Sequence, residues 1–326
     1  MVKSEGMKSG KGQLQPNSFR RSSDFWMLIT VIIWGVNLTV VKYGLSEFPG
    51  HVFNWLRLLG ASLLLFLFLL IRRESLSLSR PEFWWVIFLG FLGNTFYQVL
   101  FIQGINLTNA SNASLIMTSS PVFIALLSTW LRLESLPKEG WAGIFLSFVG
   151  LYLVITQRSG GLMLSSRSLQ GDLMILLANL GWAGYTIFSR PLLSRISPLK
   201  LAATTMASGA FLYLPFGLAS AQKFRWNSVD WKGWVALVFS LVFALGFGFV
   251  VWYHSLRRVG NSRTGIYSYL TPLVAIITAH FFLGEKITFL QAVGGLIILF
   301  GFSLTRSGKW WLRLNQRPLS GSSLYR

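Results

Sequence analysis

A few polar side chains lie inside long apolar stretches of this sequence, where burial without a partner is unfavourable. Asn94, Tyr97 and Gln98 are spaced by three and four residues, so on a helix they form one stripe. Asn54 and Arg57 are three residues apart in another stretch. Such groups donate and accept hydrogen bonds, and in an apolar element they usually face a cavity or a packed interior. Their spacing favours a cavity lining that binds through hydrogen bonds.

Aromatic residues accompany these polar groups in both halves of the chain. Trp34 and Asn37 are three residues apart in the first apolar stretch, and Trp182 and Tyr185 repeat that spacing in the second half. We predict a solute-binding cavity formed by Trp34, Asn37, Arg57, Asn94, Tyr97, Gln98, Trp182 and Tyr185. The alternative is that the polar groups join helices to one another and that the rings lie in interfacial aromatic belts.

Arg57 is the most informative charge. It lies about six residues into its stretch, hence about 9 Å deep at the helical rise of about 1.5 Å per residue, and no carboxylate lies at that depth. Three partners stay open for it: helix-end carbonyl groups, the surface, or an anionic group of a solute. Lys42 is nearer the end of the first stretch, where it can extend to the interface or pair with Glu47.

The composition predicts an all-α membrane protein. The chain is 53% hydrophobic and 12% charged, against about 25% charged in a typical soluble domain. Ten apolar stretches have roughly the length that crosses a bilayer, about 20 residues. We place them near 25–45, 51–71, 83–104, 111–131, 140–157, 171–190, 199–220, 232–254, 263–283 and 288–305.

The net charge of +19 gives orientation rather than a nucleic-acid partner. With the N-terminal tail in the cytoplasm and alternating sides thereafter, 21 of the 29 Lys and Arg residues fall inside and six outside. This excess follows the positive-inside rule. We therefore predict a multi-pass protein of the cell (inner) membrane, with both termini cytoplasmic, the lipid bilayer as a partner and no nucleic acid.

One stretch of the chain occurs twice, 151 residues apart. Residues 121–150 and 272–301 match at five positions, counting a serine just upstream: Ser111/Ser262, Pro121/Pro272, Glu134/Glu285, Gly143/Gly294 and Gly150/Gly301. A duplicated unit with an odd number of spans inserts upside down the second time, and inverted repeats are typical of secondary transporters. The repeat predicts a basic cytoplasmic tail (1–24), a five-helix repeat (25–157), a linker (158–170), a second five-helix repeat (171–306) and a second basic cytoplasmic tail (307–326).

Two matched pairs of residues have specific expected roles. Pro121 and Pro272 remove a backbone donor at equivalent places, so we predict that they act as gating or hinge points, although a fixed kink also fits. Glu134 and Glu285 lie in tight turns, where each is expected to cap the N-terminus of the next helix or pair with a cation.

The residue types argue against an enzyme. The sequence has no cysteine, and its candidate acid/base groups, His254 beside Ser255 and His280, have no carboxylate in the same span. We predict no catalytic residue, no metal and no cofactor. A membrane-embedded enzyme and a non-transporting membrane partner stay as alternatives.

The pattern resembles the drug/metabolite transporter superfamily, specifically its EamA-type carriers. The resemblance rests on Trp34-Gly-Val-Asn37 with Lys42, Arg57, Asn94-Thr-Phe-Tyr97, Ala110-Ser-Asn-Ala-Ser114 and the matched prolines and glutamates, and it covers roughly 24–306. It implies ten spans in two inverted five-span repeats and a transporter of a small-molecule solute, such as an amino acid or a related amphipathic metabolite. Solute, direction, oligomeric state and coupling to a proton or another ion stay open.

Overall fold

The computed structural model describes residues 17–131, 138–156, 167–222 and 224–306, which contain helices and no strand. Glu134, most of the predicted linker and most of both predicted tails lie outside these ranges. The α-helices are α1 (Asn17–Glu47), α2 (Gly50–Ile71), α3 (Arg80–Leu89), α4 (Tyr97–Leu107), α5 (Ala110–Met117), α6 (Ser120–Trp130), α7 (Lys138–Thr156), α8 (Arg167–Leu192), α9 (Pro198–Ala221), α10 (Trp231–Phe239), α11 (Gly248–Tyr267), α12 (Thr271–Leu283) and α13 (Phe289–Arg306).

The described part of the chain contains a multi-span helical bundle. Six helical stretches are long and apolar enough to cross a bilayer: Phe25–Glu47, Gly50–Ile71, Arg80–Leu107, Ala110–Trp130, Pro198–Ala221 and Trp231–Arg258. Shorter apolar helices follow at Thr271–Leu283 and Phe289–Gly301. Large apolar side chains point outward, among them Phe211 at 72% exposure and Phe282 at 79%. Such a surface suits a lipid environment rather than water.

Helix bounds differ from the predicted stretches at two places that matter for the site. α8 begins at Arg167, earlier than the predicted start at 171, so Asp172 lies inside the helix. α11 runs through the predicted connection between the eighth and ninth stretches. Within α11, however, the hydroxyls of Ser255 and Thr264 are 2.8 Å apart, whereas nine residues of straight helix span about 13 Å. The chain therefore bends sharply between them.

Two π-helical segments interrupt otherwise α-helical spans. Segment π1 (Gly90–Phe96) joins α3 to α4, and segment π2 (Ser240–Phe247) joins α10 to α11. Shifted by the repeat offset of 151 residues, π1 falls inside π2. A π turn contains an extra residue and so rotates the helix face that follows it. Both halves of the chain therefore change register at the same place.

The repeated glycines form the contact between α7 and α13. A Cβ on Gly150 would lie 2.5 Å from the Gly294 carbonyl oxygen, and one on Gly301 would lie 2.5 Å from the Gly143 oxygen. Because Gly150 meets Gly294 while Gly143 meets Gly301, the two helices run antiparallel. Lipid supplies no hydrophobic force between helices, so such close backbone approach holds them together.

The remaining packing also pairs elements across the two halves. α2 packs on α9, α4 on α8, and α1 on α12. α6 packs on α8, which is the α12–α1 pair displaced by the repeat offset. Pro121 and Pro272 lie in the first turns of α6 and α12, just after breaks in the helix. Each proline thus begins a helix segment, where its missing N–H group is not needed.

Candidate functional site

A cavity of about 100 Å³ lies within the bundle, lined by residues of both halves. One water molecule needs about 10–15 Å³ of such volume, so this space is larger than a packing defect. The lining side chains come from α1, α2, α4, α5, α6, α8, π2, α11 and α12. The cavity is therefore the structure's candidate site for a small solute.

Six of the eight residues predicted from the sequence line this cavity: Trp34, Asn37, Arg57, Tyr97, Gln98 and Trp182. Pro272 also lines it. The structure adds neighbours that sequence spacing did not single out: Leu38, Ser114, Met117, Thr118, Ser120, Ala244, Leu245, Phe249 and Ser268. Phe101 and Thr271, which continue predicted stripes, complete the lining.

Aromatic rings form one wall of the cavity. The ring centroids of Trp34 and Trp182 are 6.1 Å apart, and the planes are nearly perpendicular. Tyr97 lies 5.5 Å from Trp182 and stacks on Phe101 at 5.6 Å. Edge-to-face and offset-stacked pairs of this kind stabilise one another beyond simple burial. The wall is thus held in a fixed shape that can receive an apolar or aromatic group.

Two of the wall and lining residues are anchored to π2. The indole N–H of Trp34 donates to the Ala244 carbonyl oxygen at 2.9 Å. The Ser240 hydroxyl donates to Asn37 Oδ1 at 2.6 Å. A π turn displaces the i to i−4 pairing of its backbone, so its carbonyl groups are available to side chains of a neighbouring helix. The π2 segment therefore positions Trp34 and Asn37 at the cavity.

Asn94 and Tyr185 are not in the cavity lining. Asn94 is fully buried, and its amide donates to the Thr205 carbonyl oxygen of α9 at 3.1 Å. The Tyr185 hydroxyl lies 3.1 Å from the Thr205 hydroxyl and accepts a hydrogen bond from Tyr253. Asn94 belongs to π1, whose wider turn separates it from the stripe formed by Tyr97 and Gln98. Both residues join helices, as the alternative reading of the polar stripes expects for these two.

Arg57 is buried in the cavity wall with 1% of its surface exposed. One terminal nitrogen donates to Asn54 Oδ1 at 3.3 Å, and its guanidinium carbon lies 5.5 Å from the Phe53 ring centroid. Nε has no acceptor among the described residues. The surface contact and the helix-end carbonyl groups considered for Arg57 are therefore not its partners here.

Lys42 has a different partner from the one that the sequence suggested. Its ammonium group donates to the carbonyl oxygens of Ile105 at 2.6 Å and Thr108 at 2.5 Å, at the end of α4. The C-terminus of a helix attracts a cation through its unpaired carbonyl groups. Glu47 instead accepts the backbone N–H of Asp230 at 3.1 Å.

Asp172 is the acidic residue that sequence reasoning missed. It is fully buried, and its Oδ1 accepts from the Thr108 hydroxyl and the Asn112 amide, each at 2.6 Å. Its burial follows from the contact of Gly171 with Gly104, where an added Cβ would lie 2.8 Å from the opposite carbonyl oxygen. The glycine before Asp172 is the signal that indicates this close approach of α8 to α4.

Glu285 caps a helix, but not the next one in sequence. Its two carboxylate oxygens accept the backbone N–H groups of Ala110 and Ser111 at 2.9 Å each, at the start of α5. Gly284, with φ of 66°, ends α12 in the left-handed conformation and turns the chain so that Glu285 reaches α5. A carboxylate at a helix N-terminus is stabilised by the helix dipole.

These groups form the Lys42-end cluster, which comprises Lys42, Thr108, Asn112, Asp172, Glu285 and Gln291. Gln291 joins it by donating to Asn112 Oδ1 at 3.2 Å. Lys42, Glu285 and Gln291 also line a surface depression, whereas Leu38, one turn before Lys42, lines the cavity. The cluster thus separates the cavity from the surface at this end of the bundle.

Comparison with known proteins agrees with this architecture. The EamA-like transporter family matches residues 21–156 and 169–307, one match in each half. The chain belongs to the EamA-like transporter family. Among the described residues of this family member, no group of three or more acidic or histidine side chains could hold a metal ion.

Relatives of this EamA-like protein are named as transporters. An uncharacterized transporter of Archaeoglobus fulgidus is 30% identical over 86% of this chain and 95% of its own length. The uncharacterized transporter YyaM of Bacillus subtilis is 28% identical over 85% of this chain and 90% of its own. A probable amino-acid metabolite efflux pump of Salmonella typhimurium is 26% identical over 89% and 98%.

A solved crystal structure shares the fold. It superposes with a TM-score of 0.63 at 20% sequence identity and covers 87% of this chain and 96% of the other. At this identity the likeness concerns the fold alone. The arrangement of helices is therefore one that a protein of this size adopts over nearly its whole length.

Proposed function

We propose that this protein carries a small metabolite across the cell membrane, an amino acid or a related amphipathic solute, by alternating access between two inverted five-span repeats. The observation that carries the proposal is the cavity between the matched halves, residues 25–157 and 171–306, with an aromatic wall and buried polar groups. A site shared by two repeats can open to either side as the repeats rock against each other.

The inverted arrangement is supported by contacts that recur at the repeat offset. α7 and α13 meet through matched glycines in antiparallel order, as a two-fold axis in the membrane plane requires. Trp34 and Tyr185, also 151 residues apart, each pack on a π segment: Trp34 bonds Ala244 of π2, and Tyr185 lies against Gly93 of π1. Ala244 and Gly93 are themselves 151 residues apart. Chance resemblance of two apolar stretches does not explain these paired contacts.

Closure at one end is supported by the Lys42-end cluster. Its bonds from Thr108 and Asn112 to Asp172, from Gln291 to Asn112, and from the start of α5 to Glu285 all join one half to the other. By the distribution of Lys and Arg, this end faces outward. We infer that breaking these bonds is part of opening the cavity to the outside, with Pro121 and Pro272 as the points where the helices yield.

The amino-acid class rests on the form of the cavity and on one relative. Its lining offers apolar rings next to neutral hydrogen-bonding groups, which suits a solute with both kinds of surface. The Salmonella typhimurium relative is named a probable amino-acid metabolite efflux pump. The relative's name and the cavity support the same class of solute.

The experiment is counterflow in proteoliposomes. Purified protein is reconstituted into vesicles loaded with one unlabelled amino acid, and uptake of the labelled compound is followed against empty vesicles. The Ser114→Trp variant is the control, because Ser114 lines the cavity and an indole there fills it. Exchange by the wild type and loss in the variant is the expected result. The absence of exchange across a panel of amino acids and amphipathic metabolites would refute the proposal.

A further inference from the structure

We propose that Arg57 binds the carboxylate of the transported solute, so that the solutes of this protein are carboxylates with an apolar or aromatic body, for which an amino group is not required. This inference rests on the transport function proposed above and narrows its substrate class. It concerns a charge that the fold leaves without a counter-ion and a cavity that has room to supply one.

The state of Arg57 carries the inference. The guanidinium is 1% exposed, and within the described ranges no carboxylate forms an ion pair with it. The titratable groups that interact with it electrostatically are the phenols of Tyr97 and Tyr213. Burial of an uncompensated cation is unfavourable by several kcal/mol, and a bundle tolerates it where the charge serves a ligand.

The geometry of the free donors points to a planar anion. One terminal nitrogen is engaged with Asn54, while Nε has no acceptor in the described part of the chain. The Arg57 side chain lines the cavity. A guanidinium offers parallel N–H groups that match the two oxygens of a carboxylate. The anionic group that Arg57 lacks is therefore expected from the cavity.

The rest of the lining determines what accompanies the carboxylate. No Asp or Glu lines the cavity, so an ammonium group finds no ion pair there. Gln98 Oε1 and Thr271 Oγ1 have no hydrogen-bond partner among the described residues, and they offer neutral acceptors to an amine or a hydroxyl. An amino group is thus accommodated but not required. The rings of Trp34, Tyr97 and Trp182 select an apolar body.

Ligand chemistry on the unaltered protein is the first test. Phenylalanine, phenylalanine amide and 3-phenylpropanoate share one aromatic body, but the amide lacks the carboxylate and the propanoate lacks the amine. We expect phenylalanine and 3-phenylpropanoate to bind the detergent-purified protein and to compete in counterflow, and the amide to bind about ten- to a hundredfold more weakly. An amide that binds as well as the acids overturns the inference.

Variants of Arg57 provide the second test. Arg57→Gln should bind the two acids about ten- to a hundredfold more weakly and lose the preference for acid over amide, while Arg57→Lys, a point charge, should retain part of it. Arg225→Gln is the matched control, since Arg225 is exposed and lies outside the cavity lining. A folded Arg57→Gln protein that still prefers the acids overturns the assignment. If the variant does not fold, the ligand series on the wild type decides.

Binding and transport are measured separately so that the two proposals can fail independently. Carboxylate-selective binding without exchange keeps the role of Arg57 and refutes transport. Exchange of solutes without preference for the acid keeps transport and refutes the role of Arg57. If the acids neither bind nor exchange, both proposals fall.

Discussion

The side-chain amide of Asn112 donates a hydrogen bond of 2.6 Å to the carboxylate of Asp172. Asn112 belongs to the first matched half of the chain and Asp172 to the second. The bond is buried, and it lies between the central cavity and the surface depression at the Lys42 end. The stability of this contact is therefore linked to how easily the cavity opens at that end.

Neutralising Asp172 should open that end. Asp172→Asn keeps the size of the side chain but removes the charge that strengthens both of its hydrogen bonds. Since the chain has no native cysteine, a Ser114→Cys reporter can be labelled cleanly with a membrane-impermeant thiol reagent. We expect labelling about tenfold faster from the side on which a Lys286→Cys reporter reacts.

The matched control for that variant is Asp230→Asn. Asp230 is exposed and caps α10, away from the cavity lining, so this change should leave the labelling of Ser114→Cys as in the parent. Equal labelling rates for Asp172→Asn and the parent would show that the Asp172 contacts do not hold this end closed.

Removing the Glu285 carboxylate should destabilise α5. The side chain accepts two backbone N–H groups at the start of that helix, and loss of a helix cap costs about 0.5–2 kcal/mol. Glu285→Ala should lower the melting temperature in detergent by about 2–4 °C per kcal/mol. Glu139→Ala, at an exposed position in the first turn of α7, should shift it less. A larger shift for Glu139→Ala would contradict this role of Glu285.

The contact between α7 and α13 should tolerate no side chain at Gly294. A Cβ there would lie 2.7 Å from the Gly150 carbonyl oxygen, whereas one on the adjacent Gly295 would meet only a methyl group of Leu115. Gly294→Ala should therefore lower the yield of monodisperse protein strongly and Gly295→Ala only slightly. Size-exclusion chromatography after extraction measures both. Similar yields for the two variants would mean that the helices separate without penalty.

Gln98 and Tyr185 should have opposite roles, although the sequence suggested the same role for both. Gln98 lines the cavity with an unpartnered oxygen, so Gln98→Leu should weaken solute binding and leave the melting temperature nearly unchanged. Tyr185 bonds Thr205 and Tyr253 outside the lining, so Tyr185→Phe should lower stability by about 1 kcal/mol with affinity retained. Loss of affinity in Tyr185→Phe at unchanged stability would place Tyr185 in the site.

Spacing along single helices predicted much of the cavity. Trp34 with Asn37, and Tyr97 with Gln98, lie on common helix faces, and the structure places all four in the lining. The same reasoning failed to separate Asn94 from that stripe, because the register change of π1 depends on backbone packing against α9. Hydropathy and three-residue spacing contain no information about a π turn.

The sequence by itself determined the family, the helical membrane-protein class and the repeat, because hydrophobicity, length and matched glycines and prolines are properties of the chain order. Tertiary structure alone decided what each charged group meets. Lys42 lies on the carbonyl groups of α4, Glu285 caps α5, Asp172 is buried against Asn112, and Arg57 faces the cavity. These partners are about 60 to 175 residues away or, for Arg57, a space between helices, so they exist only once the helices have packed.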